Sequence, residues 1–294
     1  MISADLVVAN CRQLLTLAGP IPRRKRSLGK VELREKAWLA SCRGRIVFIG
    51  QEKDFKARVS VVKNAVHIDA ENMVGLPGFV DSHTHLPFAG SRENELKLRL
   101  KGYTYEELAK KGLGIQTTVK ATRRAAKSEL VRLCLSRLDV MLQNGATTVE
   151  AKSGYGLNLK DEIKQLEALR EANRKHPVDI VPTFMGAHEV PKEYRGRKSA
   201  YLNFLLRRVL PEVKKRKLAE FFDVFCEEGV FSLEETRRLA DGAKRAGLKV
   251  RIHADEFTPL GGAELASEIG AFSADHLINI TPEGIRKLAR SDTV

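Results

Sequence analysis

The hydrophobic pattern of this chain changes character near residue 76. Before that point the apolar residues come in short runs: Leu6-Val7-Val8-Ala9, Ala37-Trp38-Leu39-Ala40, Ile46-Val47-Phe48-Ile49 and Val66-His67-Ile68. Runs of this length, set off by turn residues such as Gly44 and Gly50, predict strands. Short strands without long helices between them predict a small β-sandwich over residues 1–76. From Gly78 onward the pattern is strand, helix, strand, helix. The apolar run 73–80 predicts a first strand, buried at Phe79 and Val80, that ends at His83 and His85. A long segment containing residues 103–111 follows. Further strands are predicted over 147–152, 179–184, 221–225, 249–252 and 272–276. Helical periodicity covers 127–143, 161–173, 200–217, 233–246, 262–269 and 282–290, with Asn144-Gly145, Gly247 and Gly270 as stop signals.

Regular alternation of this kind predicts parallel strands joined by crossover helices. The fold class expected for 77–294 is α/β, a (β/α)8-type barrel of which six βα units are present. Barrel enzymes place their chemistry at the C-terminal strand ends. The polar residues that stand out here all fall there: His83, His85, Tyr155, His188, Glu227, His253, Glu256 and His276. A doubly wound open sheet also alternates, but it would not gather polar residues from every strand end at one mouth. No glycine-rich dinucleotide or phosphate-loop motif supports that alternative. A closed barrel needs eight strands, and the chain reaches Asp292-Thr293-Val294 where a seventh would begin. A barrel truncated before its seventh strand is therefore expected.

Composition narrows the class only slightly. The 294 residues include 43% hydrophobic side chains, enough for a sizeable core. Lys and Arg outnumber Asp and Glu by 51 to 37, a net charge of +14. Such a balance fits an acidic partner such as RNA, attraction of anionic substrates, or a basic solvated surface. The charge is spread along the chain and no RNA-binding motif accompanies it, so the solvated surface is the preferred reading and no nucleic-acid partner is expected. Its densest runs are Arg23-Arg24-Lys25-Arg26, read as a loop tip beside Pro20 and Pro22, and Lys214-Lys215-Arg216-Lys217, read as a helix end. Cys11, Cys42, Cys134 and Cys226 lie far apart without Cys-x-x-Cys spacing, which argues against a disulfide framework or a cysteine zinc site. No signal peptide or membrane-spanning stretch is evident, so a cytoplasmic protein without a membrane partner is expected.

The pair His83-x-His85 carries the first chemical signal. Side chains two apart on a strand point the same way, so both imidazoles share a face just beyond the apolar run. Two neutral imidazoles suit a divalent metal such as zinc, although such pairs also arise by chance. His253 is the next candidate ligand; its alternative role is a hydrogen-bonded core histidine. A metal with an open position lowers the pKa of its water. Glu256 can then shuttle a proton, and His276 can orient the water or polarise a carbonyl. Arg92 and Tyr155 can hold an anionic or planar substrate. Their bland alternatives are a surface carboxylate, a core histidine, an exposed cation and a packing aromatic.

Longer words then resemble one family. They are Pro77-Gly78-Phe79-Val80-Asp81-Ser82-His83-Thr84-His85 with Phe88-Ala89-Gly90, Lys152-Ser153-Gly154-Tyr155-Gly156, and Thr183-Phe184-Met185-Gly186-Ala187-His188. They continue with Asp223-Val224-Phe225-Cys226-Glu227-Glu228-Gly229, His253 through Gly262, and Ser273-Ala274-Asp275-His276. The chain resembles the imidazolonepropionases of the metal-dependent amidohydrolase superfamily, most loosely before about residue 70. The resemblance implies a hydrolase of histidine metabolism, opening the ring of 4-imidazolone-5-propanoate to give N-formimidoyl-L-glutamate. It implies one divalent metal, zinc or iron, on His83, His85 and His253. It also implies substrate contacts from Arg92, Tyr155 and His188, catalysis by Glu256 and His276, and a possible homodimer. The family's eighth-strand aspartate and the C-terminal segment that completes the sandwich have no counterpart here, so the 294-residue chain taken alone is expected to be poorly stable and nearly inactive. The alternatives are another amidohydrolase such as a nucleobase deaminase, an inactive remnant, or a non-catalytic basic protein that binds nucleic acid.

Overall fold

Strands of the second half alternate aliphatic and charged residues, and that alternation explains the architecture. Val149 and Ala151 flank Glu150, while Phe222 and Val224 flank Asp223; Val250, Ile252 and Ala254 alternate with Arg251 and His253. The aliphatic set joins one large core with the crossover helices. The charged set lines the opposite, concave face and is itself buried. The computed structural model describes residues 1–19, 21–103, 107 and 113–294. Of the predicted segment 103–111, only Tyr103 and Glu107 belong to these, and Pro20 is likewise outside them.

Two compact units divide at Gly78/Phe79. The first holds β1 (Ile2–Leu15), β2 (Leu33–Cys42), β3 (Arg45–Gly50), β4 (Val59–Asp69) and β5 (Val74–Gly75). Where two facing sheets are expected, the described residues form one five-stranded sheet. The strand β1 is long enough to pair with β2 along one side and with both β4 and β5 along the other. Both faces are nonetheless apolar. Ala4, Val7, Ala40 and Phe48 pack with Phe55 of an unforeseen helix, Glu52–Arg58, while Cys11, Leu14, Ala37 and Ala70 form the second cluster.

The second unit contains six parallel strands: β6 (Phe79–Thr84), β7 (Ala146–Lys152), β8 (Asp179–Ala187), β9 (Phe221–Cys226), β10 (Lys249–Ala254) and β11 (Ser273–His276). They lie in sequence order, β11-β10-β9-β8-β7-β6. The crossover helices Lys127–Gln143, Leu159–Lys175, Leu233–Arg245 and Gly262–Glu268 cover the aliphatic face. Phe184, Phe222 and Tyr201 are fully buried there, each worth about 2 kcal/mol of hydrophobic transfer. The predicted stretch 200–217 is helical but not uniform, because Leu205–Val209 winds as a π-helix between Lys198–Phe204 and Leu210–Arg216. Helices Glu93–Leu100 and Ile115–Arg124 also form between β6 and β7.

The sheet curls until side chains from its two ends meet. Arg251 Nη2 donates to the carbonyl of Ser82 at 2.9 Å, and His83 Nδ1 lies 2.8 Å from Asp275 Oδ2. One expectation fails here. Phe79 and Val80 are 57% and 64% exposed rather than buried. The reason is their place on β6, an edge strand of the nearly closed barrel, with no strand beyond it among the described residues.

Candidate metal centre

Five imidazoles converge at the C-terminal strand ends. His83 lies one residue before the end of β6 and His85 follows it; His188 follows β8, His253 lies in β10 and His276 ends β11. They line one cavity of about 610 Å³ together with Arg92, Tyr155 and Glu256. Every residue singled out as a metal, substrate or catalytic candidate therefore faces this space. Glu227 sits just beneath instead. Its carboxylate accepts from the backbone N–H groups of Glu228 and Phe257 and from the hydroxyl of Thr258, so it shapes the loop that carries Glu256.

Carboxylates fix the orientation of two imidazoles. His253 Nδ1 is 3.0 Å from Asp223 Oδ1, and His83 Nδ1 is 2.8 Å from Asp275 Oδ2. A carboxylate is an acceptor, so each Nδ1 is the donor and each Nε2 keeps its lone pair. The Nε2 atoms of His253 and His85 face each other at 3.4 Å. Two nitrogens on one tetrahedral zinc, each at about 2.05 Å, would lie about 3.3 Å apart. Ligand atoms of His83, His85 and His253 all fall within 4.8 Å of one another. This donor set fits a divalent cation.

Burial favours the neutral form of His85, His188, His253 and His276. Burial first, then the neighbouring His188 and His253, holds His85 well below the ordinary histidine value. Burial also lowers His253, although Asp223 opposes it. Burial and His253 lower His188 to about 3, and burial with His253 and His83 lowers His276 to about 4. His188 Nδ1 donates to the carbonyl of Gly154 at 3.0 Å, which leaves its Nε2 as an acceptor. The Glu256 carboxyl is pushed up by burial and by Glu227. Its Oε2 lies 3.4 Å from His276 Nε2.

Tyr155 owes its position to the start of the next helix. Glu162 Oε2 accepts from the N–H of Gly154 at 3.2 Å, and its Oε1 accepts from Gly156 and Leu157 at 2.9 and 2.7 Å. Gln165 Oε1 accepts from Tyr155 N at 3.2 Å. The loop lies so close to the helix that a Cβ on Gly156 would sit 2.4 Å from Glu162 N. Glu162→Ala strips three buried N–H groups of their acceptor. The expected cost is about 3 kcal/mol, or a Tm lower by about 6–12 °C, read by thermal unfolding. An unchanged Tm would show that water replaces the carboxylate.

Sequence reasoning passed over Lys152, Asp223, Asp275 and Arg251, all of which underlie the histidines. Their signal was present: charged residues at alternate positions of strands whose other residues are aliphatic and buried.

No protein-family model matches the chain. Its sequence is 50% identical over 291 residues to the imidazolonepropionase of Symbiobacterium thermophilum, covering 99% of this chain and 68% of that relative. The chain belongs to the imidazolonepropionase family. Solved structures extend the likeness of fold to other hydrolytic barrels. A 5-methylcytosine deaminase from Klebsiella pneumoniae superposes with a TM-score of 0.63 at 17% identity, covering 97% of this chain and 63% of that one. An adenosine deaminase from Xanthomonas campestris, solved with bound zinc, gives 0.59 at 15% identity, covering 99% and 62%. The chain thus spans 68% of the imidazolonepropionase relative and less than two thirds of these structures. The fold of this chain is accordingly α/β, a parallel barrel nearly closed by the six strands of its described residues. Among its described residues no helix is long and apolar enough to cross a membrane.

Proposed function

We propose that this chain carries the active site of an imidazolonepropionase, which adds water across the ring amide of 4-imidazolone-5-propanoate to release N-formimidoyl-L-glutamate. The observation that carries this reading is the convergence of His83, His85 and His253, a raised carboxyl on Glu256 and the cation of Arg92 in one cavity. The likeness to the Symbiobacterium thermophilum imidazolonepropionase supports the choice of substrate.

His83, His85 and His253 would hold one zinc or iron ion, with Asp275 and Asp223 keeping two of the Nε2 lone pairs aimed at it. When bound there, the ion would supply a water of lowered pKa and polarise the ring carbonyl. Arg92 pairs with the propanoate carboxylate at the cavity wall. The Tyr155 hydroxyl and His188 Nε2 face the cavity and fix the ring. Glu256 takes a proton as water adds to the carbonyl carbon, and returns it to the ring nitrogen as the C–N bond breaks. The neutral His276, 3.4 Å from Glu256, hydrogen-bonds the developing oxyanion or the attacking oxygen.

The test incubates metal-loaded protein with 4-imidazolone-5-propanoate and, separately, with cytosine and guanine. Slow formation of N-formimidoyl-L-glutamate, detected by mass spectrometry against a metal-free control, is the expected result. Ammonia release from a nucleobase, with the imidazolone untouched, would favour a deaminase instead; the fold neighbour from Klebsiella pneumoniae makes that comparison worth running.

A further inference from the structure

Beneath the histidines lies a buried ion cluster that the reaction as described does not use. Lys152 is completely buried, and its Nζ reaches three carboxylates: Asp223 Oδ2 at 2.7 Å, Glu150 Oε1 at 3.0 Å and Asp275 Oδ2 at 3.3 Å. Three N–H donors thus meet three acceptors. Two of those acceptors are the carboxylates that orient imidazoles, Asp223 for His253 and Asp275 for His83. Asp275 is further tied by the Ser273 hydroxyl at 2.9 Å and approached by Arg251 at 3.6 Å. Asp223, His253 and Asp275 also bring ligand atoms within 4.8 Å of one another, a spacing compatible with a cation. The lysine ammonium reaches both of those carboxylates.

We propose that Lys152 is the positioning residue of the metal centre: its ammonium clamps the two carboxylates that aim His83 and His253, and it occupies the place a second cation would otherwise take. The proposal rests on the metal reading given above. Buried carboxylates cannot stay ionised together without a cation among them. A fixed lysine supplies that charge without competing for the imidazole lone pairs. Burial alone would lower Lys152, but Asp223, Glu150 and Asp275 outweigh it and hold the amine above its ordinary value. A neutral side chain at Lys152 would leave Asp223, Glu150 and Asp275 without the donor they share.

The experiment titrates zinc into the metal-free 294-residue chain, with a chromophoric chelator as competitor, and records the visible spectrum of the cobalt(II) form. Wild type is expected to take one tightly held equivalent. Lys152→Met is expected to bind that equivalent about 10–100-fold more weakly, as for lost outer-shell partners generally, to shift the cobalt bands, and to take up a second equivalent. Lys152→Arg, which restores a cation, is expected to abolish the second equivalent. Should Lys152→Met fail to fold, Asp275→Asn in the same assay is expected to weaken zinc and shift the cobalt bands by freeing His83. Unchanged zinc affinity, stoichiometry and cobalt spectrum in folded Lys152→Met, or in Asp275→Asn, overturns this proposal and leaves the metal reading intact. A wild-type protein that binds no zinc overturns both.

Discussion

His253→Ala is expected to abolish stoichiometric metal binding and to lower kcat/KM by about 10³-fold or more, since activation of water and carbonyl by a metal is worth several kcal/mol. No other imidazole of the centre is as constrained. His253 is buried in β10, its Nδ1 is committed to Asp223, and its Nε2 faces His85 at 3.4 Å. Removing it leaves His83 and His85 on a single strand end, and two ligands from one strand hold zinc poorly. The informative control is His188→Ala. Its ring stacks on His85 at 4.8 Å, yet it lies outside the group whose ligand atoms converge. That variant is expected to keep its metal and to lose about tenfold in KM, the worth of one hydrogen bond to substrate. Metal content by mass spectrometry of the purified variants, set beside their kinetics, separates the two. If His253→Ala keeps a full equivalent of metal, the ligand set is wrong.

Much of this site was legible because it depends on short-range rules. Strand periodicity put His83 and His85 on one face, and strand–helix alternation put His188, His253 and His276 at the same end of the barrel. Both follow from local geometry and from the parallel arrangement that crossover helices impose. The charged layer below was harder to see. Lys152, Asp223 and Asp275 come from β7, β9 and β11, and their meeting depends on sheet curvature, which no single segment encodes. The buried reading of Phe79 and Val80 failed for a related reason. An apolar run says what a strand can bury, whereas burial itself depends on a neighbour elsewhere in the chain. The helix Glu52–Arg58 escaped notice because one buried side chain, Phe55, gives no period to read.

Glu256→Gln tests the chemical step separately from the metal. It is expected to cut kcat by about 10²–10⁴ while metal content stays at the wild-type level, because a positioned proton carrier contributes about that much. The fold asks little of this carboxylate: Asn279 Nδ2 donates to the backbone carbonyl of Glu256, at 2.8 Å, and a glutamine preserves that bond. The chemistry asks more. Burial and the charge of Glu227 raise the Glu256 carboxyl above the ordinary 4.5, with His83 opposing them. Proton acceptance needs the ionised form, so activity is lost as pH falls through that raised value. A raised pKa also lets the carboxyl hold the proton between its uptake from water and its delivery to the ring nitrogen. The acid limb of the wild-type kcat/KM profile should therefore lie above 4.5 and vanish in the glutamine variant, since an amide does not titrate there. A glutamine variant that keeps more than about a tenth of wild-type kcat would move the proton-carrying role to His276, whose Nε2 lies 3.4 Å from this carboxylate.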